Sequence, residues 1–290
     1  MKDRFRTLSI LVLITALILP VVAASPPAGA EETEEQRIER INREIAEKGG
    51  QWTAGKTWPG SLPKEERVKL LGLNPSAFPS SQGEREPLKF VPAGDAADLP
   101  LSFDWRNLGG VSPITNQGGC GSCWAFAAVA QLESFAMIYD SRLLDLSEQQ
   151  SIDCNPHGAD CDGGWVPSSY YVFWNYGAVA ETCMPYTASD GHLCTQDQCE
   201  PLAFIGESYY AVDRNVEAIK QAIYEQGPIT TYFYVHDSFY NYTGGCWNFD
   251  VSNPPNHAML IVGWDDTRCF GEGAWIVKNS WGPDWGIGGY

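Results

Sequence analysis

The run from Cys123 to Asp140 places the strongest constraint on how this chain can fold. Trp124, Ala128, Leu132, Phe135 and Ile138 form one stripe of a helix, while Ala125, Ala127 and Ala130 fall on its other sides. A helix that is apolar nearly all round has to be buried. Its first turn carries a thiol, Cys123, in the segment Gln117-Gly-Gly-Cys-Gly-Ser-Cys123-Trp-Ala-Phe126, with Gln117 six residues upstream. A free thiol is mostly protonated at neutral pH, and a helix N-terminus together with an adjacent imidazolium lowers its pKa until the thiolate dominates. The segment therefore has the make-up of a cysteine nucleophile, and an imidazole with an orienting group is expected downstream.

Both are present. Asn256-His257-Ala258 places an imidazole 134 residues after Cys123, and Lys278-Asn279-Ser-Trp281-Gly282 brings an amide 22 residues further on. In order and local sequence these segments resemble the papain family of cysteine peptidases, from Leu99 to the last residue. The resemblance implies an α+β fold of two subdomains, a helical half and an antiparallel β-barrel-like half, with the active site in the cleft between them. Cys120-x-x-Cys123 also suits half of a zinc site or a redox dithiol. A zinc site lacks a second Cys-x-x-Cys or His pair, and a thioredoxin-like site lacks its preceding strand. We read Cys120 as a structural disulfide cysteine and Cys123 as the nucleophile, and expect no metal and no cofactor.

The N-terminus reads as a secretory signal: Lys2, Arg4 and Arg6 precede an apolar run from Leu8 to Leu19, then Pro20 and small residues, with cleavage after Ala24 or Ala30. The apolar run is short for a membrane span, and an uncleaved anchor is the alternative. Export implies an oxidising compartment, extracellular or lysosome-like, so the nine cysteines read as eight in disulfides and one free. The family resemblance implies Cys120 with Cys161 and Cys154 with Cys194. That leaves Cys183 with Cys199 and Cys246 with Cys269, the connectivity among Cys183, Cys194 and Cys199 remaining open. From residue 99 onward 22 acidic residues face 6 basic ones, whereas residues 31–98 carry 13 acidic and 10 basic. The acidic surface disfavours nucleic acid and anionic membranes, and no stable membrane insertion is expected.

Upstream of the family match, Ile38, Ile41 and Ile45 mark a helix over 31–48, ended by Gly49-Gly50. A shorter helix fits Pro63 to Leu71, with Gly72 just past it. Between them, Gln51-Trp52-Thr-Ala-Gly55-Lys is similar to the Trp-x-Ala-Gly element in propeptides of cathepsin B-like members. Pro75, Pro79, Pro87, Pro92 and Pro100 suit an extended tether over 73–100. The resemblance implies that this tether lies along the cleft and blocks it; a plain linker is the alternative. The expected organisation is a signal peptide over 1–24, a propeptide and linker over 25–98, and a peptidase domain over 99–290. In that domain Ser147 with Gln150 suggests a capping box, and helices are expected at Tyr170–Tyr176, ended by Gly177, and around Val216, Ile219 and Ile223. Strands are expected at Ile229–Val235, His257–Trp264 and Ala274–Asn279.

If the last two strands form a hairpin in which Val262 faces Ala274, Met259 faces Val277 and His257 faces Asn279, within reach of each other at a Cβ separation of about 5 Å. The roles follow. Cys123 attacks the scissile carbonyl, His257 protonates the leaving amine and Asn279 orients the ring. Gln117 and the Cys123 N–H are the candidate oxyanion donors. By resemblance Trp281 shields the His257–Asn279 hydrogen bond, Gly164 binds the substrate backbone beside Gly163, and Trp165, Val166 and Ala258 line the main pocket. His157, His192 and His236 read as loop residues. Three features depart from the family pattern: Asn256 stands where many relatives have Asp, no His-His pair is present, and the sequence stops at Tyr290 where the family continues into a closing strand.

The resulting expectation is a secreted cysteine endopeptidase made as a zymogen, acting through a thioester acyl-enzyme on peptide or protein substrates and held by its own propeptide. An exopeptidase of the same fold and a non-catalytic binding protein on this scaffold are the alternatives.

Overall fold

The computed structural model describes residues 32–77, 87–206, 209–248 and 252–290. The expected signal segment lies outside the described residues. The N-terminal segment supplies α1 (Glu34–Glu47), β1 (Gln51–Ala54), the one-turn helices α2 (Trp58–Ser61) and α3 (Lys64–Arg67), and β2 (Leu88–Lys89). There follow β3 (Ser102–Asp104), α4 (Cys123–Asp140), α5 (Glu148–Cys154), α6 (Val166–Tyr176), β4 (Ala178–Val179), β5 (Pro201–Ala203) and β6 (Tyr210–Ala211). The last stretch adds α7 (Val216–Gln226), β7 (Ile229–Phe233), β8 (Tyr242–Cys246), β9 (His257–Asp265) and β10 (Ala274–Lys278). Mixed helix and antiparallel sheet give the α+β class expected.

Helix α4 is enclosed as its composition demands. Every residue from Cys123 to Ala130 is buried, and the enclosure loosens from Gln131 onward, where Phe135 and Ile138 are partly exposed. One side packs with α5 and α6 in a core that includes Trp124, Ala128, Leu132, Ile152, Val172 and Phe173. Another side meets β9, through Ala130 against Leu260 and Val262. Ser147 caps α5 by accepting from the Gln150 N–H at 3.0 Å. The expected capping box is only half made. The Gln150 side chain instead donates to the Gly177 carbonyl and accepts from the Val179 N–H, tying α5 to the end of α6.

Strand β9 is the centre of the other half, with β10 along one edge and β7 followed by β3 along the other. The expected hairpin register is corrected here. Ala274 pairs with Asp265 and not Val262, and a bulge between Ile276 and Val277 then brings Val277 opposite Ile261 and Lys278 opposite Leu260. Strand β9 runs further towards the turn than the hydrophobic pattern suggested, and the bulge takes up one residue of the difference. His257 is therefore a diagonal and not a direct neighbour of Asn279. The net displacement beyond the bulge is even, so both side chains stay on one face.

The N-terminal segment docks on this half. β1 adds antiparallel to β8, with Gln51 opposite Cys246 and Trp52 opposite Gly245. Trp52, Ile41, Ile45 and Leu70 enter a core with Tyr240, Tyr242, Trp281 and Trp285. Ile38 is only partly buried, and Arg37, which the apolar spacing did not single out, is buried. Its Nε donates to Asn241 Oδ1 at 3.0 Å and its Nη2 to the Gly60 carbonyl. The tether is partly docked: the Ala93 and Gly94 N–H groups donate to the Glu225 carboxylate, and Lys89 pairs with Asp213.

The disulfides join Cys120 to Cys161, Cys154 to Cys194, Cys183 to Cys199 and Cys246 to Cys269, leaving Cys123 as the free cysteine. Arg37→Ala removes the guanidinium contacts to Asn241 and Gly60, and a loss of about 2–4 kcal/mol is expected from charged hydrogen bonds of this kind. Thermal unfolding of the full chain, with limited proteolysis of residues 34–77, measures it.

Candidate active site

Cys123 is the first residue of α4, and Ser122 before it occupies the cap position without a side-chain cap bond. The sulfur receives the Ala258 N–H at 3.4 Å. Burial pushes the Cys123 thiol up to about 11, against the pull of the N–H groups of Ala258, Gly72, Trp124 and Cys123 itself.

His257 is fully buried at the start of β9, and its Nε2 lies 2.8 Å from Asn279 Oδ1. The same oxygen accepts the Ser280 N–H at 2.8 Å. A main-chain N–H can only donate, so it identifies this atom of the amide as oxygen. His257 Nε2 must then carry the proton, and Nδ1 is the basic nitrogen of the neutral ring. That Nδ1 is buried with no hydrogen-bond partner among the described residues. Burial pushes His257 down to about 4, with the Asn279 bond opposing the shift. In the covered cleft burial thus favours an uncharged thiol and imidazole. The Trp281 ring lies 5.0 Å from that of His257 and is itself stacked on Tyr240.

The Gln117 side chain is also fully buried. Its Nε2 donates to the Leu70 and Cys120 carbonyls at 3.0 and 2.8 Å, and its Oε1 accepts the Ser280 hydroxyl at 2.6 Å. The Gln117 N–H in turn donates to the Ser280 carbonyl at 2.8 Å. Ser280 therefore fixes two amides, one at Gln117 and one at Asn279. Sequence reading assigned it no role, although it stands between Asn279 and Trp281. Gln117, Cys123, His257, Asn279 and Trp281 are thus gathered at one place, whereas His157, His192 and His236 lie in loops elsewhere.

Residues 70–74 run through the cleft. Leu73 forms a parallel bridge with Gly164, whose N–H donates to the Gly72 carbonyl and whose carbonyl accepts the Asn74 N–H, both at 2.8 Å. On the opposite side the Leu73 N–H donates to the Asn256 carbonyl at 3.2 Å. The Leu73 side chain packs against the cluster that contains Val166 and Ala258. Trp165 stacks on Tyr232 at 4.2 Å, which adds Tyr232 to this wall. Gly163, at φ 130°, lies against Gly72. Gly164 has no room for a side chain, since a Cβ there would lie 2.4 Å from the Trp124 ring. Gly72 is equally restricted, because its Cβ would fall 1.7 Å from the Gly121 carbonyl oxygen. The Asn256 amide accepts the Val235 N–H at 2.8 Å, so this departure from the family serves the β7 end of the sheet.

These surroundings set the reactivity of the thiol. In the full chain Cys123 is expected to react slowly with iodoacetamide, the rate still climbing with pH at pH 9. Removing residues up to 98 should raise the rate at pH 6 at least about 100-fold, as thiolate at a fixed pH changes tenfold per unit of thiol pKa. Mass spectrometry after labelling separates Cys123 from the eight disulfide cysteines.

Comparison with known proteins agrees with this geometry. A family model described as papain family cysteine protease matches residues 99–290. Zingipain-2 of Zingiber officinale is 37% identical over 194 residues, covering 67% of this chain and 86% of that protein. Fruit bromelain of Ananas comosus is 37% identical over 209 residues, covering 71% of this chain and 58% of that protein. Among solved structures, a recombinant stem bromelain precursor superposes with a TM-score of 0.77 at 31% identity, over 89% of this chain and 81% of that one. With a buried thiol at a helix start, an amide-held imidazole and these relatives, the chain belongs to the papain family of cysteine peptidases.

Proposed function

We propose that the chain is the precursor of a secreted endopeptidase, with residues 1–24 as signal, 25–98 as propeptide and linker, and 99–290 as peptidase domain. The observation that carries the zymogen reading is the path of residues 70–74. The Leu70 carbonyl occupies the Gln117 amide, and the Gly164 and Asn256 backbone groups that a bound peptide would pair with are taken by residues 72–74. The segment therefore fills the cleft. The precursor state of the matching bromelain structure supports the same reading.

With the segment gone, the side chains assign themselves to steps. The Cys123 proton passes to His257 Nδ1, the basic nitrogen that the Asn279 bond leaves available. The thiolate attacks the scissile carbonyl, and the developing oxyanion takes the Gln117 Nε2–H position vacated by Leu70. His257 gives its proton to the leaving amine as the C–N bond breaks, which leaves a thioester on Cys123. Water then attacks the thioester, its proton going to Nδ1 and returning to sulfur as the acid departs. Backbone pairing with Gly164 and Asn256, and the apolar wall of Trp165, Val166, Ala258 and Tyr232, are the sites a bound peptide inherits from residues 72–74.

Cys123→Ser is expected to abolish peptide hydrolysis with the fold retained. Asn279→Ala is expected to lower kcat/KM less than His257→Ala, because it removes orientation and leaves the acid in place; equal losses would contradict this division of roles. Profiling cleavage of a peptide library by the acid-activated protein, with these variants beside it, is the test.

A peptide of residues 32–98 added to activated enzyme should inhibit. Gly72→Ala in that peptide should weaken inhibition at least about fivefold, from an overpacking cost of about 1–3 kcal/mol. Arg67 holds Asp237 at 3.0 Å, and Lys89 and the Ala93 and Gly94 N–H groups meet Asp213 and Glu225. These contacts pair opposite charges, or a carboxylate with backbone donors, near the surface, so inhibition should weaken with added salt. Inhibition constants across a salt series check it.

A further inference from the structure

The loop from Gln117 to Ser122 carries the amide at one end and the residue preceding the nucleophile at the other. One hydroxyl touches both ends. Tyr186 Oη lies 2.6 Å from the Gln117 carbonyl and 2.7 Å from Ser122 Oγ. A carbonyl only accepts, so Tyr186 gives its single proton to Gln117, and Ser122 must donate its own to Tyr186. The tyrosine is itself held fast. Its ring stands edge-on to Phe126 of α4 at 4.8 Å, and its N–H donates to Glu181 Oε1 at 2.7 Å.

The orientation imposed on Ser122 matters because serine is a preferred helix cap, normally accepting from an N–H of the first turn. Here it makes no such bond although it sits at the cap position of α4. Its carbonyl takes the Ala125 and Phe126 N–H groups at 2.8 and 3.1 Å. The N–H groups of Cys123 and Trp124 oppose the rise that burial imposes on the Cys123 thiol. A freed Ser122 hydroxyl would compete for the Trp124 N–H.

We propose that Tyr186 is a positioning residue for this site: its hydroxyl locks the two ends of the 117–122 loop together and keeps the Ser122 side chain from capping α4, leaving the Trp124 N–H to the sulfur. The inference rests on Cys123 being the nucleophile. The titratable groups facing Tyr186 are Cys123, Glu148 and Glu181.

The test uses the full chain, activated by cleavage near Asp98, as wild type, Tyr186→Phe, Ser122→Ala and the double variant. Tyr186→Phe should lower kcat about tenfold with KM within about twofold, a loss in the range of misplaced reacting groups. It should also move the pH midpoint of Cys123 alkylation upward. Ser122→Ala should lower kcat by several-fold without moving that midpoint. The double variant should recover the wild-type midpoint, because no competing cap hydroxyl remains, while kcat stays low. Wild-type kcat in either single variant, or a midpoint still raised in the double variant, overturns the proposal. If Tyr186→Phe does not fold, Ser122→Ala cuts the same tie from the other end, and an unchanged kcat there overturns it equally. A wild-type protein that neither hydrolyses peptide nor alkylates at Cys123 would instead refute the underlying assignment of the nucleophile.

Discussion

A helix that is apolar nearly all round must be enclosed, yet the thiol proposed as nucleophile stands at its start. The whole molecule is arranged around that conflict. α5 and α6 cover α4 from one direction and β9 from another, so the helix is enclosed from its first turn to Ala130 and exposed only towards its C-terminal half. The cleft is thus a boundary between two packings. Cys123 belongs to the helical side and His257 to the sheet side, and the Ala258 N–H at the Cys123 sulfur marks where they meet. The same enclosure explains why both reacting groups are driven towards their uncharged forms while residues 70–74 lie over them.

Residues whose chemistry is unusual for their surroundings were legible in the sequence. A thiol inside an apolar helix start, an imidazole within a hydrophobic strand and an Asn-Ser-Trp run are rare enough to stand out, and the buried helix followed from composition alone. An assumed hairpin pairing put His257 and Asn279 on the same side. Sequence does not show where pairing begins or where a strand bulges, and the register differs because Ala274 pairs with Asp265 and the shift between Ile276 and Val277 recovers only one residue. Ser280, Tyr186 and Arg37 were missed for a common reason. Each acts through hydrogen bonds to groups remote in sequence, and a hydroxyl or a guanidinium inside an ordinary-looking segment gives no local sign of such a partner. Gln150 shows the converse: its spacing from Ser147 suggested a local cap, and tertiary contacts took its side chain elsewhere.

The two amides illustrate how orientation is transmitted. An amide can be turned by half a revolution with little steric change, and only its neighbours decide which end is oxygen. The Ser280 N–H settles Asn279, and the Leu70 and Cys120 carbonyls settle Gln117, whose Oε1 then accepts the Ser280 hydroxyl. The ring proton of His257 is therefore set by a residue that makes no contact with the sulfur. Such support is what separates a constellation that is merely present from one held in register.

The disulfides have a distribution with its own consequence. Three of them lie between Cys120 and Cys199, and the fourth closes Cys246 to Cys269. Each bridge staples one side of the cleft to itself. The contact between α4 and β9 that sets sulfur against imidazole is left to van der Waals packing and hydrogen bonds. Oxidation thus makes each half durable without fixing the distance between them. The molecule resembles a pair of jaws with rigid bones and no bolt across the bite, its two halves joined there by apolar packing and hydrogen bonds.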